Sequence, residues 1–290
     1  IVVGTQSNGQ GHETAYAQVL NEKLGVPFES IRLVQGDSKL VKDGGGTGGS
    51  RSLTAQGMAI IDASALVVER GKAYAAQHFE AAVADIQFAD GTFRVAGTDR
   101  AIDIMELAQR ARTMTAPAGF EGGLDAEATH TLSAWTFPNG CHIAEVEIDP
   151  DTGVTTIVNY TIVDDFGVVV NPMLVEGQVH GGIVQGIGQA LLENTVYDSS
   201  GQLLTGSFMD YCMPRADDLP SFDFSTYEVP CKNNAMGVKG CGEAGSVGSP
   251  AAVINAIIDA LAPLGVKSVD MPATPERVWA LCQGGRRAAA

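Results

Sequence analysis

The sequence predicts an α+β fold, mixed sheets with helices packed on them, and three observations carry that expectation. Stretches with apolar residues at helical spacing are interspersed irregularly with stretches that alternate apolar and polar, rather than in a strict strand–helix repeat. One hairpin is written plainly. Cys141–Asp149 places Ala144, Val146 and Ile148 on one face and Glu145 and Glu147 on the other; Asp149-Pro150-Asp151-Thr152-Gly153 then signals a turn, and Val154–Val163 returns as the partner strand. Glycines, finally, gather where helices start or pack: the windows 4–11, 44–49, 177–188 and 237–248 hold 18 of the 35.

In chain order, the first window follows a strand-like start and opens a helix over His12–Leu24, where Ala15, Tyr16, Val19, Leu20 and Leu24 share one face and Gly25 ends the run. Gly9-Gln10-Gly11 leaves backbone N–H groups at the positive end of that helix, a seat for an anion. Ile31–Val34 reads as a strand. The second window, Gly44-Gly45-Gly46-Thr47-Gly48-Gly49-Ser50-Arg51-Ser52, leads into a long helix with Leu53, Met58, Ile61, Ala65 and Val68 inward. Arg51, not Lys, follows its last glycines, so it is not a Walker loop. Its hydroxyls and guanidinium suit phosphate oxygens, or else simply cap the helix.

Thr113–Gly123, rich in Pro, Ala and Gly, is a loop and a natural boundary, dividing the chain into 1–120 and 121–290. A chain of 290 residues is long enough for about two domains. Val175–Leu192 has helical spacing (Val175, Val179, Ile183, Ile187, Leu191) yet contains five glycines, each costing roughly 1 kcal/mol against alanine. Gln178, Gln185 and Gln189 fall on one side of it. Either a ligand with many hydrogen-bonding edges lies against that side at backbone distance, or two helices pack closely there. In the fourth window Gly240-x-Gly242-x-x-Gly245 matches a dinucleotide fingerprint formally, but no clear strand precedes it, and the helix is expected to begin only at Ser249 and Pro250. Glu243 stands alone among those glycines, either a solvated loop residue or a functional carboxylate. Thr274-Pro275-Glu276 caps a last helix before the basic tail 284–290.

Composition excludes several classes. Hydrophobic residues make up 45% and charged residues 18%, short of the ~25% charged of typical domains, which rules out disordered, fibrous and coiled-coil chains. A net charge of −16 repels phosphate backbones, so no nucleic acid is expected as a partner. No apolar run approaches the roughly 18 residues of a membrane helix, because Asn255 and Asp259 break Ala251–Ala262, so no membrane insertion is expected. The five cysteines, at 141, 212, 231, 241 and 282, are odd in number and include no C-x-x-C. Neither disulfides nor a zinc or iron–sulfur site is signalled, and a reducing, cytoplasmic compartment is expected. The histidines at 12, 78, 130, 142 and 180 show no metal-binding spacing; His12 and His180, in glycine windows, could donate to a ligand, while the others read as surface or strand residues. The chain opens inside an apolar run, Ile1-Val2-Val3-Gly4, as a fragment of a larger protein would.

Taken together, the stretches GTQSNGQGHETAYAQVL (4–20), GTGGSRSLTAQG (46–57), CHIAEVEIDPDTG (141–153), NPMLVEGQVHGGIVQGIGQAL (171–191), GVKGCGEAGSVGSPAAVINAI (237–257) and MPATPERVW (271–279) resemble one family. It is the molybdenum hydroxylases: xanthine dehydrogenase, aldehyde oxidase and the large subunit of aerobic carbon monoxide dehydrogenase. The stretches occur in family order over nearly the whole chain, which resembles only the C-terminal, molybdopterin-binding portion of the large subunit.

The resemblance implies two intertwined subdomains around a pyranopterin, 1–120 the first and 121–290 the second. It implies molybdopterin with molybdenum held by the pterin and not by protein side chains. Gly9, Gln10, Gly11, His12, Thr14 and Gln18, then Thr47, Gly49, Ser50, Arg51 and Ser52, then Gln185, Lys239 and Gly240 would hold the cofactor and its phosphates. The GQGHET and GEAG forms of the loops resemble the branch that uses the cytosine dinucleotide. Glu243 matches the catalytic glutamate, a general base, a role that desolvation on a buried glycine-rich loop would strengthen. The implied reaction is hydroxylation of an aldehyde or N-heterocycle, or oxidation of carbon monoxide. Electrons would pass to 2Fe-2S and FAD carried by iron–sulfur and flavin subunits in a dimer of heterotrimers. The alternative is a non-catalytic cofactor-docking or assembly module, inactive as an isolated fragment.

Overall fold

The computed structural model describes residues 1–41 and 44–289, and they form two compact units: 1–136 with 231–238, and 137–230 with 239–290. Both mix helices with small sheets, so the fold is α+β.

In the first unit β1 (Val2–Val3) pairs in parallel with β2 (Val34–Gln35), and α1 (His12–Leu24) connects them. Gly25 ends α1 at φ 63, a left-handed conformation that a side chain resists. The strand expected at Ile31–Val34 is shorter and later, because Phe28–Ser30 winds into a 3-10 turn and only Val34 and Gln35 reach β1. Helix α2 (Ser52–Phe79) serves two cores in succession. Its first half packs Ile60 with Val3, Tyr16 and Val19; its second half packs Tyr74, Ala75 and Phe79 on an antiparallel sheet. The buried stripe therefore shifts along the helix, and Ala65, expected inward, is exposed. That sheet consists of β3 (Ile86–Ala89), β4 (Thr92–Val95) and β5 (Ala101–Asp103). α3 (Ile104–Ala111) follows, capped by Asp103, which accepts from Met105 N at 2.7 Å.

Residues beyond the expected boundary at 120 pack with this same unit. Leu124 joins its core, Tyr74 Oη donates to Phe120 O at 3.0 Å, and Arg70 donates to Glu121 O at 3.1 Å. The short return at 231–238 also belongs here, with Met236 packed against the cluster of Val3, Tyr16, Val19 and Ile60.

The second unit begins with the hairpin the sequence announces: β6 (Asn139–Ile148) runs antiparallel to β7 (Thr155–Asp165), with a register shift between Glu145 and Val146. After α4 (Pro172–Leu191), β8 (Phe222–Thr226) adds in parallel to β7. α5 (Ala244–Leu261) and α6 (Pro275–Ala289) complete the unit. Its core joins Tyr160 and Ile162 of the sheet to Val179, Ile183 and Ile187 of α4, Val253 and Ile257 of α5, and Val278 of α6. Helix α6 runs through most of the expected tail, to Ala289.

Two expectations for α5 are corrected. It begins at Ala244, not Ser249, with Pro250 inside it. Proline removes one backbone bond, yet contact of Gly245 and Ser249 with α4 holds the turns before it in helical form. By length and composition, Ala244–Leu264 is also apolar enough to cross a membrane. In the structure its apolar face, Val253, Ile257 and Leu261, is buried in the unit, and Asn255 and Asp259 are exposed on the other side.

Candidate functional site

In the first unit the two glycine loops lie against each other. Gly46 N donates to Gly4 O at 3.1 Å. Gln6 N donates to Thr47 Oγ1 at 3.1 Å, the same hydroxyl donates back to Gln6 O, and Ser52 Oγ donates to Thr47 Oγ1 at 3.4 Å. Thr47 and Ser52 thus join the loops. Gln10 folds back on its own loop, where its Oε1 accepts from Asn8 N and from Ser7 Oγ. Arg51 lies along its loop, donating to Gly45 O at 3.4 Å.

Open backbone remains around these bonds. A Cβ built on Gly9, Gly46, Gly48 or Gly49 would meet nothing within 4 Å. Gly11 opens α1 with no side chain capping the N–H groups of the first turn, so the positive helix end is available to an anion. His12, 4% exposed, stacks on Tyr16 at 4.8 Å and shares a hydrogen bond between Nδ1 and Gln35 Oε1 at 3.2 Å. Its Nε2 is buried without a hydrogen-bond partner. Thr14 and Gln18 are half-buried on the same helix, and Ser50 follows Gly49 with φ at 53.

In the second unit four of the five glycines of α4 divide into two sets, one packed on α5 and one facing open space, while a Cβ at Gly188 would meet Glu193 and Pro214. Gly182 and Gly186 meet α5: a Cβ at Gly182 would sit 3.0 Å from Ser246 N, and one at Gly186 2.0 Å from Ser249 Oγ. Gly245 answers from α5, where a Cβ would lie 2.5 Å from Val179 O and 2.6 Å from Ile183 N. Gly177 and Gly181, by contrast, have nothing within 4 Å of a built Cβ. They share their side of α4 with Gln178, half-buried, and Gln185, exposed.

Glu243 is the N-cap residue of α5 and is exposed, contrary to the buried setting expected for it. Its backbone carbonyl starts the helix, accepting from Val247 N at 3.0 Å and Ser246 Oγ at 3.0 Å. Gly240 is buried just before it. Lys239, expected among the cofactor ligands, instead donates from Nζ to Asp165 Oδ2, with only 12% and 9% of the two side chains exposed. Burial alone would raise the Asp165 pKa. The bonds from Lys239, Gly167 N and Val229 N, with the lysine charge, hold it below the usual carboxylate range instead. This contribution to stability is complete above the ordinary carboxylate pKa and is lost as pH falls through the lowered value.

Burial pushes the Cys241 thiol up to about 11 from 9.0. A thiol that holds its proton this much more tightly carries about 100-fold less thiolate at any pH below both values, and the thiolate is the nucleophile. Alkylation of Cys241 by iodoacetamide at about pH 8 is therefore expected to be about 100-fold slower in the native chain than in guanidinium; equal rates followed by peptide mapping would contradict this.

The sequence reading missed a buried cluster. His142, read as an ordinary strand residue, has a side chain only 8% exposed, with Nδ1 at 2.9 Å from Tyr160 Oη and Nε2 at 3.4 Å from Asp164 Oδ1. The available signal was the pair Asp164-Asp165 closing an apolar strand, since carboxylates are seldom buried unless paired. His180 packs edge-on against Phe222 at 5.2 Å. Among the described residues, no group of three or more His, Cys, Asp or Glu side chains is placed to hold a metal ion.

A family described as molybdopterin cofactor-binding domain matches residues 1–220. The chain is 41% identical over 287 residues to the nicotine 6-hydroxylase large subunit of Paenarthrobacter nicotinovorans, covering 98% of this chain and 35% of that one. It is 36% identical to the carbon monoxide dehydrogenase large chain of Hydrogenophaga pseudoflava, over 96% of this chain and 34% of that one. Among solved structures, quinoline 2-oxidoreductase from Pseudomonas putida 86 aligns with a TM-score of 0.85 and 40% identity, over 97% of this chain and 36% of that one. Carbon monoxide dehydrogenase from Oligotropha carboxidovorans aligns with a TM-score of 0.89 and 33% identity, over 99% and 36%. The chain thus spans about a third of the length of the relatives it matches.

Proposed function

Because this chain belongs to the molybdopterin cofactor-binding domain family, we propose that it is the cofactor-binding portion of the large subunit of a molybdenum-dependent hydroxylase acting on an N-heterocycle. The observation that carries the cofactor reading is the open face of α4, where Gly177 and Gly181 leave backbone uncovered beside Gln178 and Gln185. Flat, many-edged rings can approach backbone only where no Cβ intervenes. The residues present fit molybdopterin in two further respects. The uncapped start of α1 and the open glycines of the 44–49 loop suit phosphates, and the partnerless Nε2 of buried His12 offers a hydrogen-bonding group at the base of the first loop.

In this reading Gln10, the backbone of Gly9 and Gly11 and the Thr47–Ser52 loop are cofactor-binding residues of the first unit, Gln185 is one of the second, and the cofactor is the cytosine dinucleotide form. Bound molybdopterin supplies the two-electron oxidation. Glu243 accepts a proton at a carboxylate oxygen as the substrate carbon is hydroxylated. Partner subunits carrying 2Fe-2S and FAD would take the electrons, in a cytoplasmic dimer of heterotrimers. Identities of 41% and 40% to the nicotine and quinoline enzymes, against 36% and 33% to the carbon monoxide enzymes, support an N-heterocycle over carbon monoxide.

The test is metal and nucleotide analysis of the full-length subunit purified with its neighbours. Molybdenum with CMP released on acid hydrolysis is expected, followed by dye-coupled turnover of N-heterocycles. Absence of molybdenum after expression in a host that makes the cofactor would overturn the reading in favour of a non-catalytic module. Turnover of carbon monoxide alone would overturn the substrate class.

A further inference from the structure

Strand β7 closes on two consecutive aspartates, Asp164 and Asp165, 3% and 6% exposed. Successive residues of a strand point to opposite faces, so the two carboxylates reach different partners. Both sets of partners lead to the Glu243 loop. Asp165 takes Lys239, four residues before Glu243, and also binds Val229 N at 3.1 Å and Gly167 N at 2.8 Å. Lys239 N adds a bond to Phe166 O at 2.7 Å. Asp164 faces His142, whose ring lies under Gly248, five residues after Glu243; a Cβ there would sit 2.9 Å from three ring atoms. Tyr160 Oη holds the other nitrogen of that ring, and a Cβ on Gly140 would strike Asp164 Oδ1 at 1.9 Å, so the backbone of β6 leaves room for this carboxylate.

We propose that Asp164 and Asp165 are positioning residues that mount the Glu243 loop on the end of β7 from both sides, Asp165 through Lys239 and Asp164 through His142 and Gly248. The inference rests on the reading of Glu243 as general base. A segment with glycines at 237, 240, 242, 245 and 248 has a large conformational freedom to lose. A sheet end is stiff, and the hydrogen-bonded Asp165–Lys239 pair is directional where apolar contact is not. Buried ion pairs contribute little net stability over apolar packing, and fixing register is their best-attested use.

The test uses the full-length subunit purified with its partners. In Asp165→Asn, kcat per bound molybdenum is expected to fall by about 10- to 100-fold, the cost of misplacing a catalytic group by roughly 1 Å. KM and molybdenum content stay close to wild type, while the melting temperature falls because Lys239 is left buried without its counter-charge. Asp164→Asn acts in the same direction. Lys239→Arg, which keeps the pair, retains most of kcat, and Lys239→Met does not; this comparison decides the matter if Asp165→Asn fails to assemble. Unchanged kcat per molybdenum in Asp165→Asn or Lys239→Met overturns the mount, as does a loss that only follows falling cofactor content. Glu243→Gln, run in parallel, separates the two failures: if it is inactive while Asp165→Asn is active, the mount falls and the base stands. Turnover by Glu243→Gln removes the base, and the mount with it.

Discussion

Glu243→Gln in the full-length subunit is expected to lower turnover by about 10²- to 10⁴-fold, the range that loss of a general base costs, with molybdenum content unchanged. Glutamine keeps the size of the side chain and loses the proton-accepting charge. The helix start at this position is made by backbone: the Glu243 carbonyl accepts from Val247 N and Ser246 Oγ, and the side chain makes no capping bond to the helix. The helix start therefore survives the change. The measurement is kcat per bound molybdenum in dye-coupled assays with an N-heterocycle, beside metal analysis. Turnover at the wild-type level would remove Glu243 from the chemistry. The isolated 290-residue chain is expected to show no turnover, because Glu243 is exposed to water in it and the chain spans about a third of the length of its relatives.

Gly245→Ala and Gly181→Ala are expected to fail in opposite ways. A methyl at Gly245 would lie 2.5 Å from Val179 O and 2.6 Å from Ile183 N, backbone atoms that cannot rotate aside. Relief requires α4 and α5 to part, which also loosens Ile183 and Ile187 from Val253 and Ile257. Overpacking of this kind costs about 1–3 kcal/mol and occasionally more, and a result in the upper part of that range is expected by chemical denaturation. Gly181 faces open space in the same helix. Alanine there adds helix propensity, about 1 kcal/mol over glycine, so the melting temperature holds or rises. Its methyl stands where the proposed pterin would approach, so molybdenum content falls. A Gly181→Ala subunit with full molybdenum content would take this face of α4 out of the cofactor site.

The hairpin of β6 and β7, the extent of α1, and the cap of α6 at Thr274-Pro275 were all legible in the chain. Each rests on residues within one turn of helix or across one tight turn. The short strands β3–β5 were not, because runs of three or four residues are too brief to show a period. The start of α5 was misplaced because Pro250 is a strong local stop signal, and the contact that overrides it comes from α4.

For the site, local pattern sufficed to single out the glycine windows, the amide side of α4 and Glu243. A glycine in a helix is costly enough to be conspicuous, and a lone carboxylate among glycines is conspicuous too. Which face of each glycine is filled, and by what, is a matter of residues brought in from far along the chain. Asp165 and Lys239 are 74 positions apart, and only the meeting of the β7 end with the last glycine loop makes them partners. The sequence alone therefore determined the α+β class, the position of the glycine loops and the candidate base, since propensity, turn chemistry and charge act over short range. Tertiary structure decided which glycines admit a helix and which leave backbone open, and which buried charges grip the base loop, because packing and burial depend on neighbours that spacing along one chain does not identify.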